Sequence, residues 1–136
     1  MFVVARNPDN RFAGRPVECE RRALECGDYG VARGERVVAA VERKSLEDFT
    51  GSLVGGSLNF QLSELATLPN GAVVVEERYS ALLKVPRVEP GWLLEVVARL
   101  RVRYPSVPIV FTDSRKLAEE WTYRFLAAAF VHHDPA

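Results

Sequence analysis

The sequence predicts a three-layer α/β domain in which a central mixed β-sheet is flanked by helices. Three observations carry that expectation. From Val37 onward the pattern runs strand, helices, strand, helices, strand, helix, the alternation that lays helices on both faces of a sheet. Ala72-Val73-Val74-Val75 is an unbroken apolar run, as expected of a strand covered on both sides. Upstream, Gly27 to Ala32 and Val37 to Arg43 flank a turn-like Arg33-Gly34-Glu35-Arg36, which reads as a hairpin extending the sheet in the antiparallel sense.

The elements follow in order. Phe2 to Ala5 is a short apolar first strand, and Asn7-Pro8-Asp9-Asn10 is a turn cluster. Pro16 to Leu24 alternates loosely and reads as a weak strand before the hairpin. Ser45 followed by Asp48 fits a serine N-cap answered by an acid in the first turn. The helix it opens carries Leu46, Phe49 and Leu53 on one face and stops near Gly55-Gly56. A second amphipathic helix places Leu58, Leu62 and Leu65 inward and ends at Pro69-Asn70-Gly71. After the apolar strand ending at Glu76, Tyr79 to Val85 reads as a short helix. Trp92 to Tyr104 reads as a longer one, with Trp92, Val96, Leu100 and Tyr104 at helical spacing. Val107 to Phe111 is the last strand, and Ser114 caps a final helix through about Phe130.

Composition narrows the class. At 136 residues the whole chain suits one domain whose core needs no disulfide, and no linker or repeat divides it. Lys+Arg and Asp+Glu each total 18, so overall charge gives no argument for nucleic acid, although a local basic face suffices for binding. Cys19 and Cys26 lack metal-ligand spacing and read as reduced thiols. No segment has the length of a membrane span, and Met1 to Arg6 has no signal layout. The expectation is a cytoplasmic protein without membrane contact. No nucleophile constellation, phosphate-binding glycine loop or cofactor fingerprint is present.

One constellation remains. Pairing the hairpin about its turn brings Asp28 near Glu42, and carboxylates directly across an antiparallel pair lie about 5 Å apart. Like charges at that spacing repel unless a cation such as magnesium or manganese lies between them. Alternation along the strand sends Glu42 and Lys44 to one face and Arg43 to the other. Lys44 would then position a water or a phosphate, with Asp48 in support from the first helical turn. Taken alone, a charged triplet such as Glu42-Arg43-Lys44 is more often a solvated strand end, because about a quarter of residues in soluble proteins are charged.

The longer pattern is more specific. Gly27-Asp28, then Glu42-Arg43-Lys44 with Asp48, then Ser52-Leu53 and Gln61 resembles the XPF-type endonuclease domain of the restriction-endonuclease-like superfamily, most closely over residues 16–85. The resemblance implies a metal-dependent DNA endonuclease of that fold, acting on branched or flap DNA. It implies Asp28 and Glu42 as ligands of Mg2+ or Mn2+, Lys44 as the catalytic lysine, and Arg43 and Asp48 as further members of the site. The chain departs from the family in two ways. Its first strand carries no acid, the nearest being Asp9 in the turn cluster, and no helix-hairpin-helix module follows. A catalytically weakened DNA-binding or dimerising module is the alternative.

Arg99, Arg101 and Arg103, together with Lys84 and Arg87, form two basic clusters suited to phosphate, or else to a solvated helix face. Arg11, Arg15, Arg21 and Arg22 are similar. Trp92 and Trp121 read as core or interface residues. The last helix is broadly apolar, so it is expected to pack inside the domain or to pair two subunits as a homodimer or heterodimer. His132-His133-Asp134 reads as a frayed end.

Overall fold

The computed structural model describes residues 1–5, 14–15, 17–22 and 24–132. The Asn7-Pro8-Asp9-Asn10 cluster, Arg11 and the His133-Asp134 pair lie outside the described residues.

Among the described residues the sheet has six strands in the order β2-β1-β3-β4-β5-β6. They are β1 (Phe2–Ala5), β2 (Glu18–Arg21), β3 (Tyr29–Arg33), β4 (Arg36–Lys44), β5 (Asn70–Val75) and β6 (Ile109–Phe111). β3 runs antiparallel to both β1 and β4, whereas the β1–β2, β4–β5 and β5–β6 pairs are parallel. The sheet is therefore mixed, as expected. Helices α1 (Leu46–Gly55), α2 (Ser57–Leu65) and α3 (Pro90–Arg103) supply one core, packed with Ala40, Val73 and Val75 of the sheet. Helix α4 (Arg115–His132) closes the other, over Tyr29, Val31, Val41 and Val74. Residues 39–41 of β4 and 72–75 of β5 thus feed the two cores alternately, which is why both runs are apolar throughout.

Local signals set several boundaries as read. Ser45 is the N-cap of α1, its side chain accepting from the Asp48 N–H at 3.1 Å. Ser114 plays the same part for α4, accepting from Leu117 N–H at 3.1 Å. Gly56, at φ 83°, ends α1 and opens α2.

Other boundaries differ. β3 begins at Tyr29 rather than Gly27, and β5 starts at Asn70, where pairing with Ala39 of β4 extends the strand into the expected turn. The short helix at Tyr79–Lys84 is 3-10, with Leu82 buried. In α3 the apolar stripe is turned by one residue: Leu93 and Val97 are buried and Trp92 is 44% exposed. The Glu89 cap and Pro90 in the first turn fix where that helix starts, and so fix which face meets the core.

Candidate functional site

The charged triplet ends β4 beside two other chain ends: the Gly27-Asp28 step leading into β3, and Glu76 just past β5. Parallel strands that finish together leave their last residues at one edge, where functional groups of open α/β sheets gather.

Register brings the Asp28 step to the end of β4. Tyr29 pairs with Val41, Gly30 with Ala40 and Val31 with Ala39. A bulge between Val31 and Ala32 then shifts the pairing by one toward the two-residue turn at Gly34-Glu35. Beyond the last pair, Asp28 N–H donates to the Val41 carbonyl at 2.8 Å, which holds Asp28 against β4. Gly27 makes the approach feasible. Its φ is +82°, and a Cβ there would lie 3.0 Å from the Ala40 Cβ and 3.3 Å from the Val41 carbonyl oxygen, space that no other residue type leaves open.

Alternation along β4 divides the triplet. Lys44 is 7% exposed and its Nζ lies 3.9 Å from Glu42 Oε1. Arg43 turns the other way: its Nη1 donates to the Tyr29 hydroxyl at 3.2 Å, and its Nε lies 2.9 Å from Glu76 Oε1. The Arg43 main-chain N–H donates to the Asp28 carboxylate at 2.9 Å.

Two clefts open here. Asp28, Tyr29, Arg43, Ser45, Asp48 and Glu76 line one of about 290 Å³. Glu42 lines a narrower one of about 100 Å³ with Gly27, Gln61 and Glu64 among its neighbours. Asp28 and Glu42 thus lie at the same end of the β3–β4 pair, yet line different openings. Among the described residues no three His, Cys, Asp or Glu side chains gather closely enough to hold a metal ion. The carboxylates nevertheless offer oxygen donors, as a hard divalent cation requires, although the Cys26 thiol also lines the Glu42 cleft. Gln61 adds to them an Oε1 that is buried and has no hydrogen-bond partner among the described residues. An orphaned buried acceptor is costly unless a water or cation completes it. The donor chemistry fits Mg2+ or Mn2+, with water supplying the remaining ligands.

The sequence reading placed Asp28, Glu42, Arg43, Lys44 and Asp48 in one neighbourhood, and the structure places all five at this edge of the sheet. It missed the parts played by Glu76 and Tyr29. A carboxylate directly after an apolar parallel strand was the available signal for Glu76.

A mixed sheet covered on both faces, with Glu-x-Lys on one strand and an aspartate leading into its hairpin partner, defines the class as a restriction-endonuclease-like fold of XPF type. Residues 4–125 match the family model described as the ERCC4 domain, and the chain belongs to that family. Its fold is similar to XPF from Aeropyrum pernix, with a TM-score of 0.74 at 23% identity over 97% of this chain and 66% of that one. It is also similar to XPF from the same organism in complex with DNA, with a TM-score of 0.68 at 23% identity over 98% of this chain and 68% of that one. Over 102 residues it is 35% identical to MJ1505, a Methanocaldococcus jannaschii protein named as an ATP-dependent RNA helicase; the match takes in 74% of this chain and 11% of that protein. The chain therefore spans about a tenth of that relative's length and about two thirds of the solved XPF chains.

Proposed function

We propose that this domain is a divalent-metal-dependent endonuclease hydrolysing phosphodiester bonds in branched or flap DNA. The observation that carries the reading is the buried Lys44 ammonium beside Glu42, with Asp28 bound to the same strand through the Val41 carbonyl. Membership of the ERCC4 domain family, and similarity to an XPF solved with DNA, support it. Asp28 and Glu42 would hold Mg2+ or Mn2+, with Gln61 offering an amide oxygen. When bound, such an ion supplies a Lewis acid and a more acidic water. Lys44, itself 7% exposed, orients the attacking water or offsets charge developing on the phosphate, a cation held ready in advance. Arg43 orients Asp28 through its main-chain N–H, and Asp48 adds negative charge at the mouth of the same cleft. A second copy, or a related partner, would join through the C-terminal helices.

A second reading has its own observation. β1 carries no carboxylate, and Asp28 and Glu42 open into separate clefts. Both features fit a DNA-binding or dimerising module with weakened turnover. Incubating branched DNA with magnesium and with manganese separates the two readings, using wild type, Asp28→Asn and Glu42→Gln. Cleavage lost in both variants supports the nuclease. Cleavage surviving both removes it, and binding without cleavage under either metal favours the module.

A further inference from the structure

We propose that Glu76, assisted by Tyr29, is a positioning residue for the Asp28 carboxylate and acts on it through Arg43. The inference rests on the metal-dependent reading above. Arg43 does two things at once. Its main-chain N–H donates to Asp28 at 2.9 Å, while its guanidinium lies between the Tyr29 hydroxyl at 3.2 Å and Glu76 at 2.9 Å. Holding that side chain from both neighbouring strand ends fixes the peptide plane between Glu42 and Arg43, and with it the direction of the N–H that Asp28 accepts. Glu76 is itself anchored, because its own N–H donates to the Lys44 carbonyl at 2.9 Å.

Charge in the cleft points the same way. Asp28, Asp48 and Glu76 contribute three carboxylates and Arg43 one guanidinium, so the cleft stays negative while its arginine is held by Glu76. The ion pair is partly buried, its arginine side chain 33% and its glutamate side chain 12% exposed, so it contributes to stability. It also contributes direction. A residue that orients a metal-ligating carboxylate typically governs metal affinity without touching the ion.

The test compares manganese affinity, followed by electron paramagnetic resonance, in wild type, Glu76→Gln, Glu76→Asp, Tyr29→Phe and Asp28→Asn, with melting temperature and the Arg43 Nε–H resonance recorded alongside. Glu76→Gln is expected to weaken manganese binding about 10–100-fold, out of proportion to any fall in melting temperature, and to shift the Arg43 Nε–H resonance. Glu76→Asp is expected to recover part of the affinity. Should Glu76→Gln fail to fold, Tyr29→Phe, which removes a single hydroxyl, carries the same comparison with a smaller loss. Affinity weakened by Asp28→Asn yet unmoved by Glu76→Gln and Tyr29→Phe overturns the inference and leaves the metal-site reading standing. Manganese binding that is absent, or indifferent to Asp28→Asn, overturns both.

Discussion

Lys44 is the residue at which burial and proposed chemistry are hardest to separate. A buried ammonium costs desolvation that its neighbour recovers only in part, so a lysine kept at 7% exposure beside Glu42 fits a functional constraint better than a stabilising one. Lys44→Met keeps the aliphatic stem and removes the charge. Single-turnover cleavage should fall about 10²–10³-fold, the cost typical of losing one preorganised charge-stabilising group, with little change in melting temperature. A collapse of the melting temperature would reassign Lys44 to the core. Glu120 gives a residue-scale prediction of another kind. Hydrogen bonds from Arg124 and then Arg15 hold its carboxyl below the ordinary carboxylate value. A depressed folded-state pKa stabilises the fold above the unfolded value, and that contribution is lost as pH falls through the folded one. The melting-temperature difference between wild type and Glu120→Gln should therefore be present at neutral pH and vanish in acid. A difference constant across pH would mean that the carboxylate plays no part.

At the scale of elements, what was legible in the sequence was what local chemistry decides. The Ser45 and Ser114 caps, the apolar β5 run and the period of α1 and α2 depend on residues a few positions apart, and the structure forms each of them. The hairpin register was also readable, because a bulge at Val31/Ala32 absorbs the mismatch on the turn side and leaves Tyr29 opposite Val41. Less legible were features set by distant partners. β5 gains Asn70 only because β4 is there to pair with it, and the face of α3 follows from a cap and a proline that shift its phase. The Arg43–Glu76 contact needs the β4–β5 crossover already folded. Gly27 joins element to site. Alanine there would take φ +82° with its Cβ 3.0 Å from that of Ala40, a strained conformation costing about 1–3 kcal/mol. Urea unfolding of Gly27→Ala should show a lower midpoint with an unaltered slope, and manganese affinity should fall as well, because Asp28 sits on the displaced step. A Gly27→Ala protein of wild-type stability would contradict the close approach.

For the whole molecule the question is how a chain of zero net charge would hold a polyanion. Any affinity has to come from a local face, and the arginines of α3 are not equivalent in this respect. Arg101 donates to the Tyr104 and Val107 carbonyls, which ties the end of α3 to the strand that follows. Arg99 is exposed and, among the described residues, paired only with Glu95 one helical turn away, an arrangement worth a few tenths of a kcal/mol and easily exchanged for phosphate. Arg103 lies with its guanidinium 5.6 Å from the Tyr104 ring centroid and is likewise exposed. If this face contacts DNA, Arg99→Ala and Arg103→Ala should each reduce the logarithmic salt dependence of binding by about 0.9. Arg101→Ala should instead lower the melting temperature and leave that slope nearly intact. Fluorescence anisotropy on branched DNA across a salt series reads the slope directly. Equal slopes in all three variants would move the DNA-binding face away from α3. The exposed arginines Arg21 on β2 and Arg36 on β4 would then be the next to vary, because both strands run toward the end of the sheet that carries Asp28 and Glu42.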